Sequence, residues 1–311
     1  MWWTCSFVVA IILVGGYALA FAPPSNFPSG DIAVISRGAS VSEISKQLSD
    51  AGIIKYPTVL NLVLRISGAG SSVKSGAYLF KFPENTFAVA SRLSEGAYGL
   101  PLVRVTFPEG VTVLDISKKI SEAIPLILAK DIIALGKSQE GYLFPDTYFF
   151  TMDTIAESAV EAMRANFDAK MAPLSADIKA SGHSLYDIVK MASLIEKEVR
   201  TNENKKIVAG ILWNRLKLGM PLQVDAVFGY IFNRDTYSPS FLDLKTESPY
   251  NLYLHRGLPP GPISNPGIES IKAAINPTKT DYLYYLTGLD DKMHYAITYA
   301  GHQSNQRKYL R

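Results

Sequence analysis

Hydrophobic and polar positions divide the chain into stretches with different periods. From Trp2 to Ala22 no residue is charged, and only Thr4, Cys5 and Ser6 are mildly polar. At about 1.5 Å of rise per residue this run crosses a hydrocarbon core of about 30 Å, so the pattern predicts a transmembrane helix. Trp2 and Trp3 stand where an interfacial aromatic anchor would. Pro23, Pro24 and Pro28 end the helix and begin an extended linker. A cleaved signal peptide is the competing reading, with Ala18-Leu19-Ala20 and Ala20-Phe21-Ala22 as cleavage-like sites. No Lys or Arg precedes the run, and it is long for a signal core, so an uncleaved anchor is preferred. Either reading exports the rest of the chain.

Two later segments share one pattern. Ala33 to Gly38 alternates, turns at the glycine, and runs into a helix with Val41, Ile44 and Leu48 on one face. Val103 to Gly110, followed by Val113, Ile116 and Ile120, does the same. Ser40 or Ser42, and Thr112, are candidate N-caps. Between them Pro57–Ile66 reads as a helix and Gly76–Phe82 as a strand. Such units are scaffold and carry no chemistry by themselves. Residues 125–183 are mostly helical in pattern, interrupted by Glu140-Gly-Tyr-Leu-Phe-Pro-Asp146-Thr-Tyr-Phe-Phe150. This aromatic turn suits either a core corner or a sugar-binding lip.

The most informative stretch is Ser184 to Arg200. Ser184 followed by Asp187 is a helix start. Leu185, Ile188, Ala192, Ile195 and Val199 follow the spacing of a buried face. At about 100° per residue from Leu185, Glu196 falls near about 20°, inside the apolar stripe, and Glu198 near about 220°, on the side expected to be solvated. An acid on an apolar face resists ionisation, which is what a general acid at neutral pH requires. The alternative for Glu196 is a buried ion pair, for example with Arg215. Asn202 to Leu218 reads as the next helix, capped by Asn202 and ended by Gly219. Met220-Pro-Leu-Gln223-Val-Asp225 reads as a short extended segment with Gln223 and Asp225 on one face. These two can position substrate groups or satisfy loop backbone, and Asp225 is the best second carboxylate.

Four prolines and three glycines between Gly257 and Gly267 define a long irregular loop, a length that is more often functional than decorative. Glu269–Ile275 reads as a helix, Tyr282–Leu286 and His294–Thr298 as two strands, and His302 opens a polar tail. Composition changes this picture little. With 48% hydrophobic and 19% charged residues the chain can build a sizeable core. A net charge of +3 gives no argument for a nucleic-acid partner. One cysteine, Cys5, excludes an internal disulfide, has no lipobox before it, and fits no cysteine-based zinc site. His255 stands apart from other ligand-type residues. No cofactor is expected.

Four runs together carry a resemblance: Glu140 to Tyr148; Ala192-Ser-Leu-Ile-Glu196-Lys-Glu198; Leu222-Gln223-Val-Asp225; and Tyr250-Asn251 through Gly257-Leu-Pro-Pro-Gly-Pro-Ile-Ser-Asn-Pro-Gly267. In order and spacing they resemble the endolytic murein transglycosylases, the MltG (YceG-like) family, from about Ile32 to the C-terminus. The resemblance implies an α+β fold of four parts: a transmembrane anchor at 1–22, a linker at 23–31, a LysM-like region at 32–125 and a larger catalytic domain at 126–311. It also implies a cell-membrane protein with its catalytic domain outside the cytoplasm. The implied activity is that of a lyase, which cleaves the β-1,4 bond between N-acetylmuramic acid and N-acetylglucosamine in nascent peptidoglycan. One glutamate, carried over to Glu196, protonates the leaving oxygen and then helps the muramoyl 6-hydroxyl attack its own anomeric carbon. Gln223, Asp225, Tyr250 and Asn251 become candidate substrate-binding residues. The continuation Val224-Asp225-Ala226-Val227 departs from a Thr-Pro-like form common in the family, which weakens the roles of Gln223 and Asp225. Glycan strands are the expected partner, with peptidoglycan synthases as further candidates. The alternatives are a two-carboxylate hydrolase using Glu196 and Asp225 and a non-catalytic wall-binding protein.

Overall fold

The structure, a computed structural model, describes residues 15, 16, 20–36, 38–234 and 238–310. The expected anchor at 2–22 and Cys5 lie almost wholly outside them. Among the described residues no helix is long and apolar enough to cross a membrane.

The chain divides into two compact units, residues 1–102 with 151–153, and 103–150 with 154–311. In the first, β1 (Ile32–Ile35) pairs antiparallel with β2 (Gly76–Leu79), placing Ile32 opposite Leu79. The alternation is plain in β1, where Ala33 and Ile35 are buried and Ile32 and Val34 face out. Helices α1 (Val41–Asp50), α2 (Pro57–Ile66) and α3 (Thr86–Glu95) complete the unit. Ser40, not Ser42, caps α1 in a reciprocal box with Glu43. Leu48, Leu60, Leu64, Tyr78 and Phe80 form its core.

The second unit begins with the second strand–helix repeat. There β3 (Leu102–Thr106) pairs with β4 (Thr147–Thr151), and α4 (Val113–Ala123) starts at Thr112, boxed with Asp115. The sequence grouped this repeat with the first, up to residue 125. Its Ile116 and Ile120 pack instead with Ile132 of α5 (Ala129–Gly136) and with Ala159 and Met163 of α6 (Ala156–Met171), so contacts divide the chain near residue 102. Both repeats look alike because each must bury one helix stripe, and the pattern does not say against what.

After α7 (Ser175–Ser181) comes α8 (Leu185–Glu198), capped by Ser184 as expected. It packs against α9 (Asn202–Lys217) and α11 (Ile268–Ile275), with α10 (Ala226–Phe232) near its end. Thr201 rather than Asn202 caps α9. The hairpin forms between β5 (Tyr284–Thr287) and β6 (Met293–Ala296), Tyr284 facing Ala296. The polar tail is a helix, α12 (Tyr299–Tyr309), because Thr298 caps it and the hairpin covers one side. The aromatic turn at 140–150 is a core corner: Leu143, Phe144 and Phe150 are buried in the second unit's two apolar clusters.

Candidate active site

Helix α8 is the central element of the second unit. Every residue from Ile188 to Ile195 except Lys190 is buried, so the helix has no broad solvated face. This matters for its two glutamates. The Glu196 side chain is 8% exposed, as its place in the stripe predicts, and both of its oxygens are engaged. Oε1 accepts from Lys205 Nζ at 2.8 Å, and Oε2 accepts from the Gly267 amide at 2.9 Å and Ser270 Oγ at 2.7 Å. Lys205, not Arg215, is the ion-pair partner, and it is itself 3% exposed. Gly110 packs against the Glu196 side chain, and Glu109 sits so close to Gly267 that a Cβ there would collide with its carboxylate. Burial and the nearby Glu196 charge raise the Glu109 pKa. Glu196 therefore ties α8, α9, the start of α11 and the 109–110 turn together, and it lines neither of the cavities described next.

Glu198 is the acid that faces open space. It is the last residue of α8, at the negative end of the helix dipole, which disfavours a carboxylate. It lines two cavities, one of about 520 Å³ and one of about 360 Å³. Glu198 and Asp225 are the two residues common to both walls. Burial pushes the Glu198 pKa up to about 7, against the opposing effects of a hydrogen bond from Tyr285, the Ala226 amide and the Arg215 charge; Asp225 adds to the rise. Tyr285 Oη donates to Oε2 at 3.0 Å. Arg215 spends Nε on Leu283 O and Nη1 on Leu222 O, which fixes its charge beside the site. These observations move the candidate acid from Glu196 to Glu198. Helix periodicity places Glu198 opposite the apolar stripe, but that side of α8 borders a cavity and not open solvent.

The other expected residues separate. Asp225 stands at the N-terminal end of α10 and accepts from Tyr253 Oη at 2.6 Å. Gln223 lines the smaller cavity; its φ of 49° makes the segment a kink rather than the extended strand expected. Leu222 and Val224 are nevertheless buried on either side of it, so the alternation of the sequence survives. Tyr250 lines neither cavity and packs on Tyr230, which lines the larger one, at 5.0 Å between ring centroids. Asn251 lines neither cavity. It is fully buried, its Nδ2 donates to Leu244 O and Thr246 O, and its Oδ1 accepts from the Tyr253 amide. No atom remains to bind substrate; its part is to hold Tyr253, and through it Asp225.

The proline-rich loop is locked in place by hydrogen bonds. The Ile263 amide donates to Ser193 Oγ, and Tyr186 donates to Pro260 O. Asn265, fully buried, accepts from the Leu143 amide and donates to Val111 O and Glu140 Oε1. Glu140 also receives the Val113 amide at the start of α4, and burial raises its pKa to about 7. The motifs at 140–148 and 250–267 are thus joined, with Glu140 on the wall of the larger cavity. Tyr285, Tyr253 and Glu198 were not expected as site residues.

A family model described as the YceG-like family matches residues 33–308. A Bacillus subtilis protein named endolytic murein transglycosylase is 30% identical, over 89% of this chain and 84% of its own length. A Streptococcus pneumoniae protein of the same name is 29% identical, and this chain spans 58% of it. The crystal structure of a yceG-like protein from Listeria monocytogenes superposes with a TM-score of 0.60 at 29% identity, covering 89% of this chain and 99% of that one.

Proposed function

This chain belongs to the YceG-like family, and from that premise we propose that it is a lytic transglycosylase of peptidoglycan with Glu198 as its acid and base. The observation that carries the assignment is Glu198 at the junction of two cavities, with its pKa near neutrality. An enzyme that cuts within a strand needs sugar-binding space on both sides of the broken bond, and an acid between them. Protonated Glu198 gives its proton to the glycosidic oxygen as the bond to the muramoyl anomeric carbon breaks. The carboxylate formed then takes the proton of the muramoyl 6-hydroxyl as that oxygen bonds to the anomeric carbon. The proton count closes, no water is consumed, and a 1,6-anhydro end results. The attacking hydroxyl is part of the same sugar, so no second acid is needed to position a water. Tyr285, by donating to one oxygen, directs the other toward the substrate.

Residues 2–22 anchor the enzyme in the cell membrane with the catalytic unit outside the cytoplasm, close to emerging strands and to the synthases that make them. The strand–helix unit within residues 32–102 forms a LysM-like region.

A second reading has one observation in its favour: Asp225 shares both cavity walls with Glu198, as the second carboxylate of a hydrolase would. Mass spectrometry of the products decides. Anhydro-muramoyl ends support the lyase and reducing muramoyl ends the hydrolase. Full activity in Glu198→Gln would overturn both.

A further inference from the structure

The two cavities that meet at Glu198 differ in chemistry. The smaller is walled by Tyr253, Tyr284, Tyr285 and Tyr299, with Gln223 and Gln306 as neutral polar groups. Its cation, Arg215, is committed to backbone carbonyls. The larger carries Lys118, Lys137, Lys197 and Arg234 on its wall. The three lysines are exposed and come from three separate elements, α4, the turn after α5, and α8. The acids found in this cavity alone are Asp115 and Glu140. Asp115 is engaged with Thr112 in the helix cap, and Glu140 with Val113 and Asn265. Glu140 is buried and Asp115 half-buried, whereas the lysines are exposed, so the lysines are the charges an incoming ligand meets first at this mouth.

The two sugars flanking the broken bond differ in the same sense. N-acetylglucosamine is neutral and compact, with hydroxyl and acetamido groups that suit aromatic faces and neutral hydrogen-bonding side chains. The muramoyl sugar carries a lactyl-linked stem peptide, bulky and rich in carboxylates. Accepting the glycan-cleaving reading given above, we propose that the larger cavity is a stem-peptide subsite that holds the muramoyl residue on the donor side of Glu198, and that the tyrosine-lined cavity holds the N-acetylglucosamine leaving side. The strand then crosses Glu198 in one direction only, and peptide-bearing strands are preferred over peptide-stripped ones.

The test measures binding and cleavage separately. In the full chain carrying Glu198→Gln, tetrasaccharides of alternating N-acetylglucosamine and muramic acid, with and without tetrapeptides, are titrated calorimetrically. Adding Lys118→Glu and Lys137→Glu is expected to weaken the peptide-bearing ligand by about tenfold and to leave the peptide-free ligand within about twofold. Raised salt is expected to weaken the peptide-bearing ligand preferentially. Tyr299→Ala, in the other cavity, is expected to weaken both equally. Equal losses of both ligands in the lysine variant, no loss of either, or a peptide-selective loss on Tyr299→Ala would overturn the assignment. Cleavage is scored on the unsubstituted chain. Peptide-selective binding without anhydro products would keep the subsite and remove the lyase reading, and products without peptide-selective binding would do the reverse.

Discussion

Glu196 and Glu198 lie two residues apart at the end of one helix, yet their surroundings oppose each other. Glu196 points into the packed junction of α8, α9 and α11, where a buried lysine, an amide and a hydroxyl donate to its two oxygens. Glu198 points to a junction of two cavities, with a tyrosine on one oxygen and burial raising its pKa to about 7. Burial alone therefore does not make an acid catalytic. A buried acid with a full set of strong donors becomes a structural anchor. One left with space beside it, and few donors, keeps a proton it can lend.

The contrast can be broken most directly by exchanging each acid for its amide. Glu198→Gln is expected to lower glycan cleavage by about 10²–10⁴-fold while the folded chain persists, measured by product release and circular dichroism. Glu196→Gln is expected to take from buried Lys205 its ion-pair partner, costing about 3–5 kcal/mol in denaturant unfolding. If Glu196→Gln abolished activity at unchanged stability, the roles assigned here would have to be exchanged.

A smaller effect follows from proton linkage. The ordinary glutamate value is 4.5, and in the folded chain Glu198 titrates near 7, so the folded state binds the proton more tightly. Between those values the folded state holds more protons than the unfolded one, and stability falls as pH rises through the window. Glu198→Gln removes that penalty, and is expected to be more stable than the parent at pH 8 by about 1–3 kcal/mol, with the difference vanishing near pH 4. Cleavage by the parent should fall as pH rises through about 7, as the donor form is lost.

The smallest effect sharpens the role of Tyr285. Its hydroxyl stabilises the Glu198 carboxylate, facing Arg215 and Asp225 in the same group. Tyr285→Phe is expected to shift the alkaline limb of the kcat profile upward, with a several-fold lower kcat at little change in KM. A loss of activity at an unshifted limb would make Tyr285 a packing residue only.

Much of the framework was legible before any coordinates. Ser184 opening α8, the N-cap at Thr112, and the place of Glu196 in the apolar stripe follow from local spacing and short-range hydrogen bonding, which one segment decides for itself. Even the place of Glu198 had a signal: Met191 and Leu194 fall at about 240° and about 180° on the same helix, flanking its direction, and both are fully buried. A helix with apolar residues on both sides is central to its domain, and an acid among them deserves the question of what it faces.

Tertiary structure alone decided the rest. Asn251 turned inward because the loop after α10 needed its backbone groups satisfied. Tyr285 reached Glu198 from a strand 87 positions away, and Asn265 reached Glu140 across 125. The sequence by itself determined which segments form helices and strands, which faces they bury, and which few acids stand in apolar company, because those depend on neighbours three or four residues off. Which of two such acids received a lysine and which received a cavity depended on elements far apart in the chain, and local periodicity contains no information about where those elements meet.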